Sequence, residues 1–539
     1  MDYTNIIKVI QERYSNCYAN KDFYSKSLKL WLSLYKGERQ TYHTLRVSNG
    51  ITNPKREMYR LNMASRVARD WKSATLNEDI DIVVNSTNNK SSVFLQGTKG
   101  NGGVLGDNNF TVLLSSVIEK MYALGTSAIA IDLDDVNVDD MGNIAATTDS
   151  KIRLKQYNAM QIMPISWHNN IIDEVAFVST INVSGKEYTT LSVHKKENGT
   201  YVIYNTILNK DFNEVTLDNV NTAKVVKTNS EKPLFSIFKT NIDNNIDLDS
   251  PLGLSVYADA IDSLKGVDTI YDRAIYEIIS GQRLVLMNKA LLTTDADGNC
   301  IVPQDERQYF MNFLGDDALA SINEFVKDFT PDFRTDALDK ELQNQLNMLS
   351  FKCGLGTQYY RMDQSGNVTA TEFLGSRQDF VRNVGIMNKT IVSELKSLFS
   401  EILWVGQNLL GRNVNADAKI IVTVKDGLIT SDKDEKESDR ADVAAGLMSK
   451  LDYIMKWQGL TEEQAREKLE QMKEEQGNKM ENKETDGKLG IDTEADAERK
   501  ADAERKADAE RKADAERKAD AERKAETDAE GVDKNTNKK

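Results

Sequence analysis

The spacing of apolar positions divides the chain into helical and extended stretches. Residues Tyr3 to Leu34 read as helices, with Tyr24, Leu28, Trp31 and Leu32 on one apolar face that Tyr35-Lys-Gly37 brings to an end. A second helix is expected from Tyr59 to Leu76, with Leu61, Ala64, Val67, Ala68 and Trp71 on one side, and Ile80 to Val84 alternates as a strand does. Phe110 to Leu124 is amphipathic again and closed by Gly125, and Ala128 to Leu133 is extended. From Lys151 to Val226 the period drops to two, through Ile152, Leu154, Val175, Phe177, Val178, Ile181 and Val183. Turns at Ser184-Gly185 and Asn198-Gly199 complete the pattern of an antiparallel meander.

Ser250-Pro251 has the form of a helix start, with serine at the N-cap and proline where its missing N–H costs nothing. Tyr257, Ala260, Ile261, Leu264, Val267, Tyr271, Ala274, Ile275 and Ile278 continue it as one stripe to Gly281, leaving Asp259, Asp262, Asp272 and Glu277 on other faces. Leu284 to Thr293, the Asp295–Gly298 turn and Cys300 to Val302 read as a hairpin, followed by a short helix near Asp305 to Leu314. After Pro331 comes a helix whose stripe is only Leu338, Leu342, Leu346 and Leu349, too narrow for a core of its own. Gly354, Gly356 and Gly366 then bracket a loop free to adopt several backbone states. Thr369 and Glu372 make a reciprocal capping box. Behind it, Phe373, Phe380, Val381, Val384, Ile391, Leu395, Leu398 and Ile402 recur at helical steps to about Leu403. Such a helix is a rod of roughly 50 Å at 1.5 Å per residue. Ala418 to Val424 reads as a strand, and Ala441 to Met472 as helices, with another capping-box start at Gly459-Leu-Thr-Glu-Glu-Gln-Ala465.

The end of the chain differs in kind. Ala-Asp-Ala-Glu-Arg-Lys occurs five times from Ala495 to Lys524. A six-residue step winds the alanines around a helix and makes no stripe, so an exposed helix or a charged disordered arm is expected, and a coiled coil is not.

At 539 residues the chain exceeds one ordinary core, and the mix of elements places it in the α+β class with several lobes. The net charge of −15 argues against a protein that grips DNA on a cationic face, while an acidic wall lets a duplex slide. Cys17, Cys300 and Cys353 are odd in number and far apart, which favours reduced thiols over a disulfide framework or a zinc site. Met1-Asp-Tyr-Thr-Asn5 lacks the regions of a signal peptide, and the most apolar window, Val112 to Leu133, is interrupted by Glu119 and Lys120. Synthesis and assembly in the cytoplasm, away from any membrane, are expected.

Candidate chemistry is sparse. Asp132, Asp134, Asp135, Asp139 and Asp140 suggest a divalent-ion site, yet in the calcium-loop register from Asp135 the glycine position holds Asp140 and the glutamate position Ala146. A solvated acidic loop accounts for them more simply. Gly97-Thr-Lys-Gly-Asn-Gly-Gly103 precedes a helix without the Gly-Lys-Ser/Thr triplet of a phosphate cradle. His43, His168 and His194 are dispersed, and no nucleophile elbow, Walker or zinc signature occurs. Neither a catalytic residue nor a cofactor is expected.

The segment Gly356-Thr-Gln-Tyr-Tyr-Arg-Met-Asp-Gln-Ser-Gly-Asn-Val-Thr-Ala-Thr-Glu372, with the helix it opens, resembles the tunnel loop and long helix of tailed-phage portal proteins, in particular the Thr-Ala-Thr-Glu group from phages of Gram-positive hosts. His194-Lys-Lys-Glu-Asn-Gly-Thr-Tyr-Val-Ile-Tyr-Asn205 is similar to the sheet of portal wings, and Asp426-Gly-Leu-Ile-Thr-Ser-Asp432 to the return toward the wing. The resemblance implies a wing over 1–249, a first stem helix over 250–283, a clip over 284–330 and a second stem helix over 331–352. It further implies a tunnel loop over 353–368, a long tunnel helix and return strand over 369–434, crown helices over 435–475 and a charged tail over 476–539. It implies a non-enzymatic head-to-tail connector ring, a dodecamer, at one vertex of a virion, through which double-stranded DNA is packaged and ejected. The terminase motor, major capsid protein and scaffold, and head-tail connector proteins would be its partners. Lys352, Gln358, Tyr359, Tyr360 and Arg361 would line the channel. The residues themselves leave another reading open, in which the tyrosines pack under the loop and Arg361 pairs with Asp363. The rival functions are a metal-dependent enzyme using Asp132 to Asp140, and another virion or scaffolding protein.

Overall fold

Two-residue periodicity in the middle of the chain builds two antiparallel sheets, not one meander. In this computed structural model the described residues are 3–14, 20–46, 55–76, 80–85, 89–98, 102–217, 223–280, 284–287, 309–311, 326–329, 332–362, 370–424, 432–458 and 465–470. The larger sheet has five strands in the order Val225–Lys227, Thr200–Leu208, Lys186–Glu197, Ile171–Val183 and Ile162–His168. The smaller has three, Phe235–Lys239, Thr126–Val138 and Ile144–Asn158. Between the sheets the chain turns at Asn158, whose side chain accepts the Met160 amide at 2.9 Å and caps the turn Ala159–Gln161. Ser184-Gly185 (φ 52° and 77°) and Asn198-Gly199 (φ 51° and 91°) are hairpin turns with both central residues left-handed, as their sequence demands.

Helices cover these sheets. Tyr3–Tyr14, the π-helical turn Phe23–Leu28 and Lys29–Tyr35 bury Ile6, Ile10, Tyr24, Leu28 and Trp31, and the Tyr24 hydroxyl donates to the Ile162 carbonyl at 2.7 Å. Phe110–Leu124 keeps its expected bounds and ends at Gly125 (φ 84°). The helix expected from Tyr59 starts instead at Met63, because left-handed Asn62 (φ 53°) interrupts it. A short hairpin, Thr44–Arg46 against Lys55–Glu57, precedes it.

Ser250-Pro251 does not open a helix. Pro251 to Tyr257 is a buried, non-helical segment threaded against Phe110–Leu124 and its exit, with the Gly253 amide on Thr126 Oγ1 (3.0 Å) and the Val256 amide on the Tyr122 carbonyl (3.1 Å). The local cap preference yields to this tertiary pairing. Helix begins with a 3-10 turn at Ala258–Ala260 and continues as Ile261–Ser280.

Strand Leu284–Met287 then pairs in parallel with Tyr309–Met311 and antiparallel with Val326–Phe329. Tyr309–Met311 therefore lies in a sheet where a helix from Asp305 to Leu314 was expected, its extended pairing outweighing a weak local helical pattern. Helix Thr335–Lys352 runs back antiparallel to Ile261–Ser280. Arg334 at its start bonds Glu277 near the end of the other (2.7 Å), and Lys352 at its end reaches the Asp259 carbonyl (3.3 Å). Leu342, Leu346 and Leu349 are buried within the single chain, so the narrow leucine stripe already has a partner.

The long helix spans Ala370–Asn408, 39 residues, or about 58 Å at 1.5 Å per residue. It buries Phe380, Val384, Ile391, Leu395, Leu398, Phe399, Ile402 and Leu403. Lys419–Val424 then pairs antiparallel with Ile80–Asn85, closing the chain back on its first quarter. Residues 1–431 form one compact unit and 432–539 a second, in which helices Asp432–Ala445 and Lys450–Gln458 are described. The first of these helices straddles the expected boundary at 434/435. The Thr369 cap, Gly366, the Asp426 and Gly459 signatures and the Ala495–Lys524 repeat lie outside the described residues. No helix among the described residues is long and apolar enough to cross a membrane.

Candidate functional site

Helix Thr335–Lys352 ends in a full Schellman closure. Left-handed Gly354 (φ 73°) turns the chain so that the Leu355 amide bonds the Ser350 carbonyl (3.0 Å) and the Gly354 amide the Phe351 carbonyl (3.1 Å). Leu355, 1% exposed, fills the apolar contact that accompanies such a cap.

Three helices then hold the beginning of the loop. From Met63–Thr75, the Trp71 indole N–H donates to the Cys353 carbonyl at 2.9 Å, and its ring meets Tyr122 and Phe380 at 5.3 and 5.4 Å. From the long helix, Asn383 donates to the Gly354 carbonyl at 3.1 Å. From the returning helix, Gln343 donates to the Tyr360 carbonyl (2.9 Å) and accepts from the Met362 amide (3.0 Å). Gly354 is therefore locked, not free, since a Cβ there would stand 3.3 Å from both Trp71 and Asn383. Gly356 (φ 87°) is also left-handed, so a proline there would rebuild the turn instead of merely stiffening the loop.

The five residues assigned to a channel divide into two groups. Tyr359 and Tyr360 pack inward: Tyr359 lies 5.4 Å from Phe380 and 5.0 Å from Tyr360, and the Tyr360 hydroxyl donates to Asp70 Oδ2 at 2.8 Å. Burial first, and the Asp70 carboxylate second, push the Tyr360 phenol far above its ordinary range, so it remains a donor. Lys352, Gln358 and Arg361 are exposed, beside exposed Met362. Asp363, the proposed partner of Arg361, lies outside the described residues. The tyrosines thus follow the packing alternative, and the cations remain at the surface. Cys353 is buried under the same cap, and burial pushes its thiol up to about 12.

Sequence reasoning missed Asp70, Gln343 and Asn383. Each carries an ordinary polar side chain on a helix, and only the meeting of three distant segments gives it a role.

The other candidates resolve into structure. Asp132 pairs across the strands with Lys155, and Asp134 with Arg153 at 2.5 Å. Asp139 holds a turn by accepting the Asn143 amide at 2.7 Å. Among the described residues no group of three or more His, Cys, Asp or Glu side chains is placed to hold a metal ion. His43 accepts the Gln40 amide on Nδ1 (2.8 Å), which leaves the proton on Nε2 to donate to Asp268 (3.1 Å); burial lowers its pKa and the ring stays neutral. His194 is buried between Phe177 and Phe235, and burial lowers it to about 4. His168 is an exposed partner of Asp173 at 2.6 Å. Residues 99–101 of the glycine-rich loop lie outside the described set. The chain matches no protein-family model and no curated protein.

Proposed function

We propose that this chain is the subunit of a portal ring, the conduit at one capsid vertex through which double-stranded DNA is packaged and later ejected. The observation that carries the reading is the order of elements in the first unit. A helix leaves the core at Ile261–Ser280, strands intervene, Thr335–Lys352 returns antiparallel to it, and a glycine-closed turn leads toward the 39-residue helix Ala370–Asn408. Lys419–Val424 then rejoins Ile80–Asn85. Stem, clip, stem, tunnel loop, long helix and wing return follow one another in this order in portal proteins.

Exposed apolar side chains on the out-and-back helices support a role for neighbouring copies. Ile278 (60% exposed) and Phe333 lie open at one end of the helix pair, and Met348 and Phe351 (63%) at the other, where solvent contact is unfavourable for large apolar side chains. In the ring, the loop after Gly354 would face the axis with Lys352, Gln358 and Arg361 exposed, while Tyr359 and Tyr360 secure its base. The terminase would supply the driving force, and capsid protein, scaffold and connector proteins would dock outside the channel. The net charge of −15 suits passage of DNA better than its retention by the wall.

Imaging the purified protein by negative stain, with sedimentation alongside, tests this. A closed ring many times the 60.6 kDa of one chain is expected, either directly or on concentration. A strictly monomeric species at high concentration, with no ring in assembled heads, would overturn the reading.

A further inference from the structure

The long helix carries two acidic side chains on the face that packs against the open edge of the smaller sheet. Glu394 and Glu401 are seven residues apart, close to two full turns, and so share a face. Among the described strands Phe235–Lys239 is an edge strand, bonded on one side to Thr126–Val138. The Ile131 amide bonds the Leu234 carbonyl, and the Thr240 amide bonds the Gly125 carbonyl, which directs the even-numbered residues of this strand inward. The Ile237 amide therefore points out from the sheet, and Glu394 accepts it. Glu401 is 1% exposed; its Oε1 accepts the Ser397 hydroxyl at 2.9 Å, and its Oε2 has no hydrogen-bond partner among the described residues.

Among the described residues neither carboxyl has an ion-pair partner. Lys239 faces Glu394 from the strand, but its ammonium donates to the Asn170 carbonyl at 2.7 Å and to the Pro251 carbonyl at 3.5 Å. Asp243 acts on Lys239 from beyond the strand. Among the described residues, Lys232, exposed ahead of the strand, and Tyr201, whose hydroxyl is committed to the Asp173 carbonyl, are the remaining charged or titratable groups around Glu401. Glu401 is buried and Glu394 half-buried; a carboxylate withdrawn from water without a cation is costly, and a proton removes that cost.

We infer that Glu394 and Glu401 form a proton-operated latch, which seats the long helix on the sheet edge when both are protonated and loosens that seat when they ionise. Burial raises Glu394 from 4.5 to about 7 and Glu401 well above the ordinary carboxyl range. Because the folded values are raised, the stabilisation is complete below the ordinary value of 4.5 and is lost as pH rises through about 7 for Glu394 and higher for Glu401. The latch therefore works in the neutral to alkaline range, and it does so whether or not the chain forms a ring.

Hydrogen exchange on the full chain, corrected for intrinsic rates between about pH 5.5 and 8.5, tests this, because protection changes by up to about tenfold per pH unit for each proton lost. In the wild type, protection in Phe235–Lys239 and the packed face of the long helix is expected to fall across this range. Protection in the hairpin Ile171–Val183/Lys186–Glu197 is expected to stay level. Glu394→Gln is expected to flatten the change near neutrality and Glu401→Gln the change above it, since an amide keeps the Ile237 and Ser397 bonds without ionising. Level protection in the wild type, an equal fall in every segment, or folded variants with the wild-type profile would each overturn the latch. If a variant does not fold, the local wild-type profile decides.

Discussion

The Tyr360 hydroxyl donates to Asp70 Oδ2 at 2.8 Å, joining residues 290 positions apart. Asp70, 7% exposed, also accepts from Arg66 one helical turn away at 2.9 Å. The exit of the returning helix is thereby tied to helix Met63–Thr75, and the loop that follows starts from a fixed point.

Replacing Tyr360 by phenylalanine removes that bond while keeping the ring. The expected loss is about 1 kcal/mol of unfolding free energy, with a larger loss for Asp70→Ala, which strands a buried hydroxyl. Urea unfolding of both variants and their double mutant checks this, and the effects should not add. A Tyr360→Phe variant as stable as the wild type would show that only the ring matters.

Trp71 ties the same helix to the Schellman cap. Trp71→Phe is expected to cost less than Trp71→Ala, for which about 3–5 kcal/mol is expected from the lost ring contacts. The cap should respond as well, so protection of the Leu355 amide, read by hydrogen exchange, should fall in both variants because the Cys353 carbonyl loses its donor.

Gly125 and Gly102 separate two reasons for needing glycine. Both have positive φ, 84° and 83°. A Cβ on Gly125 would lie 2.2 Å from the Gly253 carbonyl oxygen, whereas one on Gly102 meets nothing within 4 Å. Gly125→Ala is therefore expected to lose more than about 3 kcal/mol or to abolish soluble expression, and Gly102→Ala only about 1 kcal/mol of backbone strain. Thermal unfolding of the pair gives the comparison.

The bounds of Phe110–Leu124 and the turns at Ser184-Gly185 and Asn198-Gly199 rest on local signals, apolar period and positive-φ residues, and all of them are found. The α+β class follows from the same signals. Ser250-Pro251 misled because its cap chemistry is local, while the segment after it is claimed by Gly125 and Tyr122, more than a hundred residues earlier. Asp272 was placed on a polar face, yet it is 2% exposed because the hairpin at Lys55–Glu57 brings Arg56 to it. At the candidate site the exposed cations were legible as charges, whereas the inward turn of Tyr359 and Tyr360 depended on Phe380 and Asp70, which no spacing rule connects to them.

Asp272 predicts an acid limb of stability. Burial alone would raise its carboxyl, but bonds from Arg56 (2.7 Å twice) and the Tyr59 amide (3.0 Å) hold it below its ordinary 3.8. With the folded value depressed, its contribution is present above the unfolded value and is lost as pH falls through the folded one. Asp272→Asn is expected to cost about 2 kcal/mol at neutral pH, less than a fully buried pair because the Arg56 side chain is 24% exposed. Unfolding free energies measured from about pH 2 to 6 should show a shallower acid decline in the variant. An unchanged decline would assign the acid limb to other carboxylates.

The loop's anchors and its exposed charges are separable by substitution. Lys352 and Arg361 lie outside the packed base that Tyr359, Tyr360 and Trp71 form, and among the described residues Lys352 makes a 3.3 Å surface bond to the Asp259 carbonyl. Replacing both by alanine is expected to leave the unfolding midpoint and the ring unchanged, because exposed positions without buried partners contribute little to folding. On the portal reading the same variant should package or retain less DNA per head, since cations at the channel meet phosphate without reading sequence. Tyr359→Ala should do the reverse at first, lowering stability through its lost contact with Phe380 before any effect on DNA appears. Packaged DNA per assembled head, measured beside the unfolding midpoint, distinguishes the two. Wild-type packaging by the double alanine variant would remove Lys352 and Arg361 from the channel, and a collapsed midpoint would place them in the fold instead.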